Sequence, residues 1–211
     1  MINFDIPSVH LMVAAPKSGK SYLIKYLIYN LAKSKKIDYC VVFCGTAFNN
    51  NYDFLPPNYV FSNYDENVLS QIMYLQQNSN KIVCLIFDDC VAFEQMFRYS
   101  KLFNTLITEH RHYKALIFIA TQYINKVSPT IRECCGYYWI FSQRTKRAYE
   151  AIYETVGCNS HDDLMSFKNF IQDNTGNYYV IFADRMEVPE KMYKKFKAPP
   201  PNRMPKFYLN Y

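Results

Sequence analysis

Eight residues near the amino terminus carry the clearest chemistry in the chain. Ala14-Ala15-Pro16-Lys17-Ser18-Gly19-Lys20-Ser21 fits the pattern G-x-x-x-x-G-K-[ST] at every fixed position except the first, where alanine replaces glycine. Gly19 allows the backbone to turn its N–H groups inward as an anion nest, and a helix opening at that point adds its positive end. Lys20 is then placed to neutralise the β- and γ-phosphates of a nucleoside triphosphate, and Ser21 to offer its hydroxyl to Mg2+. Ala15, Pro16, Lys17, Ser18, Gly19, Lys20, Ser21 and Tyr22 are the expected nucleotide-binding residues, with ATP and Mg2+ as cofactors. A Cβ at Ala14 would crowd the loop if that position required positive φ. The plain alternative is a Gly-Lys-Ser turn that caps a helix by chance, and the strand before it and helix after it argue against that.

Two further polar groups stand at the ends of apolar runs. Ile82 to Phe87 stops abruptly at Asp88-Asp89, and adjacent carboxylates at the mouth of a buried strand repel unless a cation sits near them. Asp88 is expected to hold Mg2+, directly or through water, and Asp89 to orient and deprotonate the attacking water. Capping of the next element is the ordinary use of such aspartates. Leu116 to Ala120 runs into Thr121-Gln122, where open α/β sheets place ligands, so Gln122 is a candidate for sensing the γ-phosphate or holding the lytic water. A polar strand end that merely meets solvent is the simpler reading of Gln122 taken alone.

The elements that must position these groups alternate. Ser8–Val13, Tyr39–Cys44, Ile82–Phe87, Lys114–Ala120, Tyr137–Phe141 and Tyr178–Ala183 read as strands, mostly continuous apolar runs of the kind buried on both faces. Helices are expected after Ser21 and over Glu66–Gln77, Phe93–Thr108, Pro129–Cys135, Lys146–Val156 and His161–Gln172. The alternation predicts an α/β fold with a mainly parallel central sheet flanked by helices. Asn174-Thr175-Gly176-Asn177 has the composition of a tight turn. After Pro189 the chain becomes lysine- and proline-rich, with no acidic residue beyond Glu190. The predicted organisation is therefore an ATPase domain over 1–189 and a basic, proline-rich tail over 190–211, whose prolines disfavour burial in a sheet or helix.

The bulk composition is permissive. With 211 residues, half of them hydrophobic, the chain can bury one substantial core. A net charge of +6 suits an anionic partner without demanding one. Seven cysteines without Cys-x-x-Cys spacing read as reduced core thiols rather than a zinc site or a disulfide framework. The amino terminus lacks the pattern of a signal peptide and no apolar run reaches the ~20 residues of a membrane span, so a soluble intracellular protein with no membrane partner is expected.

Taken together, Ala14–Ser21, Ile82–Asp89 and Lys114–Gln122 resemble the FtsK/HerA superfamily of P-loop DNA-pumping motors, most closely the genome-packaging ATPases of poxviruses, giant viruses and virophages. Glu109-His110-Arg111-His112-Tyr113, the Thr121-Gln122 strand end and Asn125–Arg132 look most like that viral branch, and the resemblance covers about two thirds of the chain. It implies a P-loop NTPase of the ASCE (RecA-like) type, working as a pentameric or hexameric ring with double-stranded DNA, bound without regard to sequence, in its channel. It also implies an arginine that reaches the neighbour's γ-phosphate, with Arg111 first and Arg132, Arg144 and Arg147 as substitutes. An arginine is apt there because it stays protonated and grasps two oxygens at once. The implied setting is the host-cell cytoplasm, at viral factories or with the virion. Lys33, Lys35, Lys36, Arg144, Lys146, Arg147 and the tail are candidate phosphate-backbone contacts, with a neighbouring subunit or a capsid or portal-vertex protein as the tail's other candidate partners.

Two other classes fit the motifs. A P-loop nucleoside or nucleotide kinase would need an acceptor pocket and an arginine-rich lid, for which Arg144 to Arg147 is a thin signal. A weakly hydrolysing nucleotide-binding assembly module would tolerate both Ala14 and an aspartate at position 89.

Overall fold

The computed structural model describes residues 3–45, 51–88 and 99–211. Its core is an eight-stranded sheet: β1 (Val9–Val13), β2 (Tyr39–Cys44), β3 (Val60–Phe61), β4 (Val83–Asp88), β5 (Ala115–Thr121), β6 (Tyr137–Ile140), β7 (Tyr179–Asp184) and β8 (Tyr193–Lys197). The order across the sheet is β3-β2-β4-β5-β1-β6-β7-β8, parallel from β3 to β6, with β7 and β8 each antiparallel to the strand before it. The predicted α/β, mainly parallel architecture is borne out, and β5 lies between the phosphate-loop strand β1 and the aspartate strand β4.

Period-two alternation divides the core between two faces. Val9, Leu11 and Val13 of β1 join the cluster under the helices α2 (Glu66–Gln77), α3 (Lys101–Thr108), α4 (Pro129–Cys134), α5 (Lys146–Thr155) and α6 (Leu164–Asn174). Met12 and Ala14 join the opposite cluster under α1 (Lys20–Lys33), which buries Leu23, Ile24, Leu27, Ile28 and Leu31 at helical spacing. Burial on both faces explains why β4 and β5 read as apolar runs and why β1 is interrupted only by the buried His10.

Helix starts follow their caps. Asp65 accepts from Asn67 and Val68 N–H at α2, Ser128 from Ile131 at α4 and Thr145 from Ala148 at α5. Ser100 accepts from Phe103 N–H and caps α3, which lies within the expected Phe93–Thr108, whose residues 93–98 lie outside the described residues. One expected helix begins late. Asp163 accepts from Ser166 N–H at 2.7 Å, so α6 starts at Leu164 and not at His161.

The segment after Pro189 departs from expectation. Tyr193–Lys197 pairs with β7, Tyr179 opposite Lys197 and Ala183 opposite Tyr193, because the consecutive prolines begin only at Pro199, beyond the strand. Phe196 then packs against Tyr26 and Trp139, and Ala198 is buried. Further on, Phe207 meets Tyr29 and Phe54, Leu209 N–H donates to Phe54 O at 2.8 Å, and Tyr211 packs on Tyr39 and Tyr59. Phe196, Ala198, Phe207 and Leu209 thus lie on the α1 face, whereas Tyr211 meets residues that pack on the other face.

Candidate nucleotide site

Parallel strands bring their carboxyl ends to one rim. Val13 is level with Thr121, and Phe87 with Ile119, so the loop after β1, Asp88 and Gln122 all emerge there. Ala14 N–H donates to Thr121 O at 3.0 Å and fastens the start of the loop to β5. Positive φ in the loop falls at Lys17 (60°) and Gly19 (92°), not at Ala14, whose methyl group is buried in the α1 face; the alanine therefore sits without strain. At Gly19 a Cβ would have open space, so the glycine is required by backbone conformation and not by crowding.

Three side chains converge on Asp88, which is 1% exposed. Lys20 Nζ lies 3.2 Å from Oδ1, Ser21 Oγ donates to Oδ2 at 2.6 Å, and Tyr52 OH donates to Oδ2 at 2.7 Å. Burial, followed by the Asp88 charge, pushes the Tyr52 hydroxyl well above the usual phenol range, so it remains a donor. Residues 15–22, Asn51, Asp88 and Gln122 line one cleft of about 430 Å³. Every expected nucleotide-binding residue therefore borders the space that Asp88 and Gln122 also face.

The donor set fits Mg2+. Ser21 and Asp88 offer hard oxygens, and Asp88 Oδ1 is buried without a hydrogen-bond donor while the Lys20 ammonium stands in front of it. The loop, with Gly19 in the left-handed region at the start of a fourteen-residue helix, suits a chain of phosphates. Asp89 lies outside the described residues.

The arginines are spread over both rims. Arg111 is exposed in the turn that precedes β5, beside a separate hollow shared with Asp5, Ser8 and His110. A seven-residue strand separates it from the cleft, roughly 20 Å at the usual rise. Arg132 is tied to its own chain through Thr155 Oγ1 at 3.1 Å. Arg144 Nη2 donates to Pro16 O at 3.2 Å, which places it against its own phosphate loop. Arg147 shares a smaller cavity with Gln122, Ile124 and Lys126.

Two residues at the site escaped the motif reading. Gln143 is buried and donates to Val13 O at 3.1 Å and Phe141 O at 2.7 Å, bracing the end of β1. A polar residue just past an apolar strand was the signal that singled out Gln122, and it applies equally here. Tyr52 had no signal, being one of 20 tyrosines in a connecting loop.

No family model matches the chain. Protein 075L of Invertebrate iridescent virus 6 is 26% identical over 183 residues, which cover 82% of this chain and 69% of that protein. Protein 088R of Invertebrate iridescent virus 3 is 30% identical over 172 residues, covering 78% of this chain and 64% of the relative. The genome packaging NTPase B204 from Sulfolobus turreted icosahedral virus 2, solved with ATP-gammaS, superposes with a TM-score of 0.66 at 18% identity over 90% of this chain and 96% of B204. The fold is that of a genome-packaging NTPase. The resemblance drawn from the sequence is borne out at that level, and the packaging-NTPase fold accounts for the rim on which Lys20, Ser21 and Asp88 meet.

Among the described residues no helix is long and apolar enough to cross a membrane, and no cluster of three or more His, Cys, Asp or Glu side chains forms a metal site.

Proposed function

We propose that this chain is an ATPase that drives double-stranded DNA into a viral capsid as a ring of identical subunits. The observation that carries the reading is the convergence of Lys20 and Ser21 on Asp88 at the mouth of one cleft, in a fold shared with B204 over nearly its whole length. Bound Mg2+ would supply charge neutralisation at the phosphates.

The chain's own residues then have distinct tasks. Lys20 would neutralise the phosphates, and Ser21 and Asp88 would hold the metal. Gln122, at the end of β5, orients the attacking water, and Asp89 accepts its proton. Arg111 comes from the neighbouring subunit, since its own cleft is a strand's length away. The exposed Lys194, Lys195 and Lys197 of β8 offer a basic edge for a capsid or portal-vertex protein, while Lys33, Lys35, Lys36 and Lys146 are candidates for tracking DNA phosphates. On this reading the site of action is the host-cell cytoplasm.

The decisive experiment measures ATP turnover with and without duplex DNA beside native mass measurement of the assembly. DNA-stimulated turnover that tracks a ring and disappears in Lys20→Ala supports the proposal. Turnover indifferent to both duplex and Lys20, or phosphate transfer to a nucleoside, overturns it.

A further inference from the structure

Oδ2 of Asp88 receives two donors, and they are not equivalent. Ser21 Oγ is expected to turn to the metal when it binds, which leaves Tyr52 OH as the buried donor that fixes the carboxylate. Tyr52 is 3% exposed and its ring packs against Phe54 at 6.0 Å, so its hydroxyl has little room to leave. The turn that carries it is clamped from both sides. Lys25 of α1 pairs with Asp53 at 2.7 Å and lies 5.2 Å from the Phe54 ring centre. From the other side, Leu209 N–H donates to Phe54 O at 2.8 Å and the Phe207 ring lies 4.7 Å from that of Phe54.

We propose that Tyr52 is a positioning residue for the metal-holding carboxylate, and that Phe207 and Leu209 keep it in place by buttressing Phe54. This rests on the reading of Asp88 as the Mg2+ holder. The carboxyl-terminal segment is thereby part of the nucleotide site without touching nucleotide. The chemistry is that of outer ligands in metal sites: a donor to the non-coordinating oxygen fixes the rotamer and aims the other lone pairs at the cation. Without that donor, the buried oxygen regains it only by rotating toward another group, and the coordinating geometry is lost.

The test uses the full chain and Mn2+ as probe, titrated by electron paramagnetic resonance in the presence of a non-hydrolysable ATP analogue. Tyr52→Phe keeps the ring and removes one oxygen. It is expected to weaken Mn2+ binding by about 10-fold, while affinity for the analogue without metal and the melting temperature stay near those of the parent. Phe207→Ala should shift Mn2+ binding in the same direction by a smaller factor. Unchanged Mn2+ affinity in Tyr52→Phe, when Asp88→Asn weakens it, overturns the role of Tyr52 alone. Unchanged affinity in Asp88→Asn overturns the metal assignment and this inference with it.

Discussion

At the carboxyl rim of the sheet the polar groups are engaged with one another: Lys20, Ser21 and Tyr52 all point at Asp88, and Arg144 reaches the phosphate loop. At the amino rim Arg111 is exposed in the turn before β5, a strand's length from the cleft. The same strands therefore end in the proposed phosphate site on one side and present a cation outward on the other. One subunit cannot bring these halves together, whereas a neighbour whose amino rim faces the cleft can. On the proposed function, that contrast is a physical reason for assembly, because it sets the cleft apart from the arginine that would complete it.

The largest effect should come from breaking the two-rim arrangement. Arg111→Ala is expected to lower the turnover number by about 10³-fold with nucleotide binding intact, the usual scale for an arginine finger. Lys20→Ala should lose triphosphate binding as well. Mixing the two inactive chains should restore part of the activity, because a subunit with an intact cleft then faces a neighbour with an intact Arg111. A mixture as dead as its components would place the arginine's role elsewhere.

A smaller loss tests the carboxyl rim alone. Gln122→Ala removes a group at the end of β5 that lines the same cleft and leaves the Lys20 and Asp88 side chains themselves in place. Turnover should fall by about 10²-fold, the scale of a misplaced reactant, with little change in KM. A rise in KM at constant turnover would make Gln122 a ground-state contact instead.

The amino rim has its own buried titratable group. His10 accepts from Trp139 Nε1 at 3.1 Å through Nδ1, so its proton sits on Nε2, which faces Ser8 Oγ at 2.9 Å. Burial, and then the neighbouring His110, hold its pKa well below the ordinary value. The unfolded chain takes up a proton near pH 6.5 and the folded one does not, so His10 contributes stability above that pH that is lost as pH falls. The slope is at most about 1.4 kcal/mol per pH unit. Urea midpoints should drop from pH 6.5 to 5.5 while the His10 ring resonance in the folded state stays that of neutral imidazole; a titrating resonance would refute the assignment.

How much of this was legible in the sequence depended on which physical signal each part carries. The central strands are buried on both faces and announce themselves as largely apolar runs, and the phosphate loop is legible because its glycine, lysine and serine are each needed at fixed spacing. β8 was missed because an edge strand needs no apolar run. In Tyr-Lys-Lys-Phe-Lys the lysines face solvent, a pattern that also keeps the edge from pairing with other chains, and composition alone made it look like a tail. Tyr52 was invisible for a different reason. Its partner is 36 residues away, and only the fold brings the hydroxyl to Asp88.

The smallest expected effect sharpens the comparison from the other side. Arg144 lies in the connection between β6 and α5 and donates to Pro16 O at 3.2 Å from an exposed position. It follows Gln143, whose amide is bonded to Val13 O, so two consecutive residues brace the loop from behind. A single exposed hydrogen bond contributes on the order of 1 kcal/mol, and Arg144→Ala should weaken nucleotide binding by only a few-fold. Turnover at saturation should hardly change, and mixing with Lys20→Ala chains should rescue nothing, because the contact lies within one subunit. If Arg144 were instead the residue delivered to the neighbour, its loss would match that of Arg111→Ala and would be complemented in the same way. Running both variants through one titration therefore distinguishes a brace from a finger by the size of the loss and by whether a second chain can repair it.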